Sequence, residues 1–247
     1  MGCCEARDKL HKENTILTLT ETPSIYRDIA ELRLPNINTL KSSHALELFN
    51  YVQSILNEAP WVQLVSESNF SAEKIEGSPY NKVSIVTKLH LRFGTYVPLN
   101  LILDLFLVPK KRLKWDTCIK SFEILDETKY NPVVHSKIKV MFYSAEIVEK
   151  VFVCSDNEEA YILSFSTDHE AAPLIKDSVR AEKSFGLINI REVSGKIEIL
   201  FINQVDPKTK FESLASSVGI IQQKMWVNSL KKNIQKIMQA RSFSAEY

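Results

Sequence analysis

Past residue 118 the chain offers one strand after another with no helix between them, and then closes on a single long amphipathic helix. Alternating apolar residues mark strands at 119–125, 133–142, 147–154, 159–166, 179–181, 187–192 and 196–205. Strands in such a run pair antiparallel and belong to an α+β fold, not to a parallel βαβ sheet. The helix follows at 211–239, with Phe211, Leu214, Val218, Ile221, Met225, Leu230, Ile234 and Ile237 forming one stripe. A strongly curved sheet needs something to fill its concave side, and this stripe is the candidate. A curved antiparallel sheet with a helix across it can enclose one apolar ligand.

The first part of the chain completes the pattern. The 43–56 segment has helical spacing, and Pro60 closes it. A strand at 61–65 follows, then one in which Val83, Ile85, Thr87, Leu89, Leu91 and Phe93 alternate with polar residues. Pro98 opens a short apolar helix. Ser194-Gly195 and Asp156-Asn157 supply turns between strands. The expected organisation is a tail over 1–38, one domain over 39–240 and a short tail over 241–247.

Composition narrows the function classes. The 247 residues carry 31 basic and 30 acidic side chains, so no global field draws the chain to nucleic acid. No window holds eighteen uncharged apolar residues, which argues against a spanning helix. The apolar run 97–108 is broken by Asp104 and stopped by Pro109, as in a buried helix. Cys118 and Cys154 lie within apolar segments, where free cysteine packs as a small hydrophobe. No Cys-x-x-Cys or Cys/His ligand spacing occurs, so no metal or cofactor is expected. No apolar signal core follows Met1, which favours a cytoplasmic, reducing setting. The opening Met1-Gly2-Cys3-Cys4 fits dual acylation: myristate on Gly2 after Met1 is removed, and palmitate on Cys3 or Cys4. Two signals are what stable anchoring to a cytoplasmic membrane face requires. Ala6 departs from the usual Ser or Thr at that position.

Three segments, in order, resemble the START domain, the lipid-transfer domain related to steroidogenic acute regulatory protein. The first is 98–116, a short helix leading into Arg112-Leu113-Lys114-Trp115-Asp116. The second is 165–182, a strand, a loop with Pro173, and Val179-Arg180-Ala181. The third is Val205-Asp206-Pro207-Lys208 before the last helix. The likeness spans about residues 40–240. It implies a helix-grip fold with an interior tunnel for one lipid, gated by the last helix and by a loop that includes Asp168, His169, Pro173 and Leu174. It also implies a non-enzymatic, monomeric carrier that meets a membrane surface, with a sterol, phospholipid or sphingolipid as ligand. The chain departs from the family's Arg-Asp-Phe strand start, which reads Ala145-Glu146-Ile147, and a pocket arginine of some members falls near Val151. Those departures keep a second reading open: a membrane-tethered interaction or regulatory module with a closed pocket.

The expected lipid-contacting set is Tyr161, Leu163, Phe165, Ile197, Ile199 and Phe201, from two strands that flank the loop, with Leu214 and Val218 of the last helix. Which strand face points inward is not readable from the sequence. Arg180 is either an inward arginine meeting a polar lipid atom or half of a structural ion pair. His90 and His135 fall on wet strand faces. Ser71-Ala72-Glu73-Lys74 reads as a polar loop and lacks partner motifs for catalysis. An enzyme would need convergent polar groups, for which only Arg180, Glu149 and Tyr161 are on offer.

Overall fold

A computed structural model of the chain describes residues 34–94, 97–126, 128, 130–140, 143–156, 159–174, 178–208 and 212–244, and the side chains of the last helix from 223 to 240. Gly2, Cys3 and Cys4, and the side chains of Leu214 and Val218, lie outside this set.

Helix α1, Ser43–Glu58, starts where the Ser42 hydroxyl accepts from the Ala45 amide at 3.2 Å. Its Ala45, Leu48, Val52 and Ile55 recur at three- and four-residue spacing and are buried. Next come β1 (Val62–Glu67), β2 (Phe70–Ile75) and β3 (Val86–Arg92). Pro98 precedes α2 (Leu99–Leu107), and Pro109 takes the first position of α3 (Pro109–Trp115), where its missing N–H leaves nothing unsatisfied. Six further strands follow: β4 (Ile119–Asp126), β5 (Val133–Val140), β6 (Tyr143–Asp156), β7 (Glu159–Ser166), β8 (Glu182–Val193) and β9 (Lys196–Asp206). Helix α4, Glu212–Ser244, ends the described chain.

The nine strands form one antiparallel sheet in the order β1-β2-β3-β9-β8-β7-β6-β5-β4. Ser194 and Gly195 both have positive φ (53° and 73°), which gives the two-residue turn between β8 and β9 the twist its strands need.

Register decides what each face carries. Leu163 lies opposite Leu187, and Leu187 opposite Ile202. That row packs with Leu48, Val52 and Phe152 under α1. One residue along, Ile162 lies opposite Ile188, and Ile188 opposite Phe201. That row packs with α2, Trp115 and the Val227, Leu230 and Ile234 side of α4. The central strands are therefore buried on both sides, by α1 on an outer face and by α2, α3 and α4 on a grip face.

Several expectations change. Residues 71–74 are not loop but part of β2, with Phe70 and Ala72 buried and Ser71 and Glu73 on the wetter side. The strand at 83–93 begins only at Val86: the Asn81 side chain holds the amides of Val83 and Ser84 in a turn, and Val83 is 71% exposed. Residues 34–38 are not all tail, since Ile37 is buried and the Ser155 amide donates to Pro35 O at 2.9 Å. Segment 179–181 makes one bridge, Arg180 to Glu146, and no extended strand.

Candidate functional site

The lower half of the grip face is apolar and closed. Trp226 of α4 stands edge-on to Phe201 and Trp115, at 4.7 and 5.1 Å between ring centroids. Its Nε1 donates to Asp116 Oδ2 at 2.9 Å, and the Arg112 guanidinium pairs with the same carboxylate at 2.6 Å. Arg112 also lies over the rings of Phe106 and Trp115. Ser229 donates to Trp115 O. These contacts fix the described half of α4 to the end of α3.

Along the strands the face changes character. The Val153–Ile162–Ile188–Phe201–Leu89 row is wholly apolar, whereas the next reads Val151–Ser164–Gly186–Asn203–Thr87. Beyond it Glu149 lies opposite Ser166. Lys183 reaches this zone from β8, where the register shifts between Lys183 and Phe185. Its ammonium contacts Glu149 Oε2 and lies 3.2 Å from Ser164 Oγ. The pair is largely withdrawn from water, at 17% and 13% side-chain exposure. Gly186 makes room for the lysine stem: a Cβ there would sit 3.2 Å from Lys183 Cδ and 3.1 Å from Ser164 Oγ. Ser136 belongs to the same face, two residues along from Val134 and opposite Ile147; it is buried, and its hydroxyl has no hydrogen-bond partner among the described residues. Past this polar belt the face becomes apolar again at Ala145, Ile147 and Ala181, with Ile138, Val179 and Val205 packed on them.

The structure divides the expected contact residues. Ile197, Ile199 and Phe201 lie on the grip face. Tyr161, Leu163 and Phe165 do not: they pack under α1, with Phe49 edge-on to Tyr161 and His44 edge-on to Phe165. This corrects the expectation of one shared face. Strand β7 is buried on both sides, so its Tyr-Ile-Leu run lacks the polar alternation that would mark an inside.

Arg180 stands with Glu146 on the outer side of β6. Its Nη2 donates to Glu146 Oε1 at 2.9 Å and to Ala172 O at 2.9 Å. Glu146 also meets His135 Nε2 at 3.0 Å and accepts from Ser178 Oγ at 3.2 Å. Burial pushes the Glu146 carboxyl up, but hydrogen bonds from Arg180, His135 and Ser178 outweigh it and hold the group below its ordinary value. His135 is thus buried and engaged, not on a wet face, and His90 pairs with Glu198 at 3.2 Å. Ala172 of the expected gating loop is buried with Val133 and Val148, again on the outer side. An open depression of about 470 Å³ lies here, lined by Asp168, His169, Glu170, Ala172, Pro173, Leu174 and Arg180.

Sequence reasoning missed the Lys183–Glu149 pair. Its members are 34 residues apart and read as ordinary surface charges. Two signals pointed to it: Glu149 sits among apolar residues of β6, and Gly186 interrupts a strand, where glycine often marks a close approach.

A long helix gripped by a curved nine-stranded antiparallel sheet defines the helix-grip class. Within it the fold is START-like, as comparison with solved structures shows. Human StAR-related lipid transfer protein 5 superposes with a TM-score of 0.69 at 14% identity, over 79% of this chain and 96% of that one. Human STARD10 gives 0.65 at 17% identity, over 81% of each chain. The human StarD13 (DLC2) lipid transfer and protein localization domain gives 0.58 at 18%, over 76% and 96%. No protein-family model matches the sequence, and a search of curated proteins finds no match. Among the described residues no helix is long and apolar enough to cross a membrane, and no group of three or more His, Cys, Asp or Glu could hold a metal ion.

Proposed function

We propose that the protein binds a single lipid between the grip face and α4 and transfers or senses it at membranes. The observation that carries this reading is the graded grip face: closed and apolar at Trp226, polar at Lys183 and Glu149, apolar again at Ile147. Such a surface suits a molecule with an apolar body and one polar end, and burial at ~25 cal/mol per Å² of apolar area favours its capture. A bilayer offers the lipid a similar environment, so net transfer is nearly balanced and reversible. Two of the similar solved proteins, StAR-related lipid transfer protein 5 and the StarD13 lipid transfer and protein localization domain, are named for lipid transfer, which supports the reading.

In this reading the binding unit spans 39–240 as a monomer that acts as a carrier and not as an enzyme. Its partners are a lipid and a cytoplasmic membrane face. Leu214 and Val218 complete the pocket from α4, and the 168–174 loop moves as lipid enters. Acylation of Gly2, Cys3 and Cys4 holds the protein at that membrane, as a lipoprotein carrying myristate and palmitate. A Gly2→Ala variant expressed in cells should move from the membrane to the soluble fraction; an unchanged distribution refutes the anchor.

The binding test is native mass spectrometry of the full chain purified from a membrane-containing host. One lipid mass per chain is the expected result. Lipid-free protein that also takes nothing from vesicles would leave the second reading, a tethered interaction or regulatory module with a closed pocket, which the lost arginine at Val151 favours.

A further inference from the structure

The polar belt has a donor and acceptor pattern that is more selective than a generic pocket lining. Lys183 and Glu149 are already paired, so the site as a whole is close to neutral. An ammonium has three N–H donors, and Lys183 directs them to Glu149 and Ser164 among the described residues, which leaves one. A carboxylate has about four acceptor positions, of which the lysine takes one on Glu149. Ser136 adds a buried hydroxyl with no partner among the described residues, on the adjoining strand of the same face. Buried polar groups of this kind are ordinarily satisfied.

We propose that Lys183 and Glu149, with Ser164 and Ser136, form the head-group station of the pocket, and that it takes an uncharged lipid bearing a hydroxyl group. This rests on the lipid-binding reading above. A hydroxyl accepts from the spare Lys183 N–H and donates to Glu149 through the same oxygen, and Ser136 completes the set. A carboxylate or phosphate would bring a second negative charge against Glu149 in a site shielded from water, where like charges are least tolerated. A zwitterionic head would have to part Lys183 from Glu149 to pair with both. Gly186 belongs to the device, because it lets the lysine stem lie flat across β8 and keeps the ammonium at the level of the carboxylate.

The test offers the full chain vesicles of phosphatidylcholine doped with equal amounts of cholesterol, dioleoylglycerol, their two O-methyl ethers, phosphatidic acid and oleic acid. Protein is re-isolated, and bound lipid is weighed by native mass spectrometry. The expected result is uptake of one or both lipid alcohols at least about ten-fold above their methyl ethers and above the charged lipids, the effect of about one hydrogen bond to a charged group. Cholesterol against dioleoylglycerol then tells which alcohol it is. Lys183→Met and Glu149→Gln should each erase the preference over the ether. Ser136→Ala should weaken alcohol uptake while leaving the melting temperature of the lipid-free protein unchanged or higher, since it removes a hydroxyl without a partner.

Preferred uptake of phosphatidic acid, oleate or phosphatidylcholine overturns the proposal, as does equal uptake of an alcohol and its ether. A lower melting temperature for lipid-free Ser136→Ala with unchanged uptake also overturns it, because the hydroxyl is then structural. If Lys183→Met does not fold, Glu149→Gln and Ser136→Ala decide. Lipid bound without selectivity defeats the head-group station alone, whereas no lipid bound at all defeats the binding reading with it.

Discussion

Arg180 Nη2 sits 2.9 Å from Glu146 Oε1 and equally 2.9 Å from the carbonyl oxygen of Ala172, so one nitrogen ties the 168–174 loop to a buried carboxylate of β6. Removing the arginine leaves Glu146 without its main partner, which costs about 3 kcal/mol in such sites. Arg180→Ala should lower the melting temperature and speed amide exchange across 168–174. Arg180→Lys should not restore the loop, because a single ammonium lacks the planar fork that serves several acceptors. Wild-type exchange in Arg180→Ala would show that Ala172 holds the loop by packing alone.

The same carboxylate sets an acid limit. Its folded pKa is depressed by Arg180, His135 and Ser178, so its contribution is fully present above the unfolded value of about 4.3 and is lost as pH falls through the lower folded value. Stability should drop below about pH 5 in urea titrations, and Glu146→Gln should flatten that part of the profile while lowering the plateau. An equal acid slope in both proteins would assign the loss to other carboxylates.

The two faces of β7 predict opposite outcomes for neighbouring residues. Leu163 is fully buried under α1, so Leu163→Ala should cost about 2–5 kcal/mol and leave lipid selectivity intact. Leu163→Trp should overpack that layer and destabilise the fold without filling the pocket. Chemical denaturation together with vesicle uptake separates these effects. Lipid uptake blocked in a stable Leu163→Trp protein would reverse the assignment of faces.

Much of this architecture was legible, and the failures have a common cause. Helix α1, the turn at Ser194-Gly195 and the buried Leu230 and Ile234 of α4 follow from periodicity and local chemistry, whereas Met225 of the expected stripe is 57% exposed and Val227, outside it, is buried. Strand β2 escaped because Ser71, Glu73 and Lys74 read as loop, although Phe70 and Ala72 already alternate with them. The faces of β7 escaped because burial on both sides erases alternation, so only cross-strand register separates Ile162 from Leu163. The Lys183–Glu149 pair escaped for a related reason: charge in a sequence reads as exposure, and only the bulge at Lys183 turns it inward.

Deleting everything after Asp206 should abolish cooperative unfolding. Val227, Leu230 and Ile234 are buried against the grip face, and their loss would uncover Phe201, Ile199 and Trp115 together. Calorimetry of the truncated chain checks this; a sharp transition would mean that the sheet closes without its helix.

Cys154 should be chemically silent in the folded protein. Burial pushes its thiol up to about 12, so almost no thiolate exists at neutral pH. Peptide mapping after alkylation should find Cys154 unmodified until denaturant is added. Labelling under native conditions would reveal local opening between α1 and β6.

Strand β9 lies between β3 and β8, and its Glu198 bonds to Arg92 across 106 residues of sequence. During synthesis the hairpin of the first strands must therefore wait, with one edge of β3 unpaired, until the ribosome has made almost the whole domain. Contacts of such long range close slowly, and an exposed edge invites pairing with the wrong chain. Of the basic side chains on β3, Lys88 pairs with Glu73 inside that early hairpin, while Arg92 waits for Glu198 of β9 and is well placed to keep the edge apart from other strands in the interval.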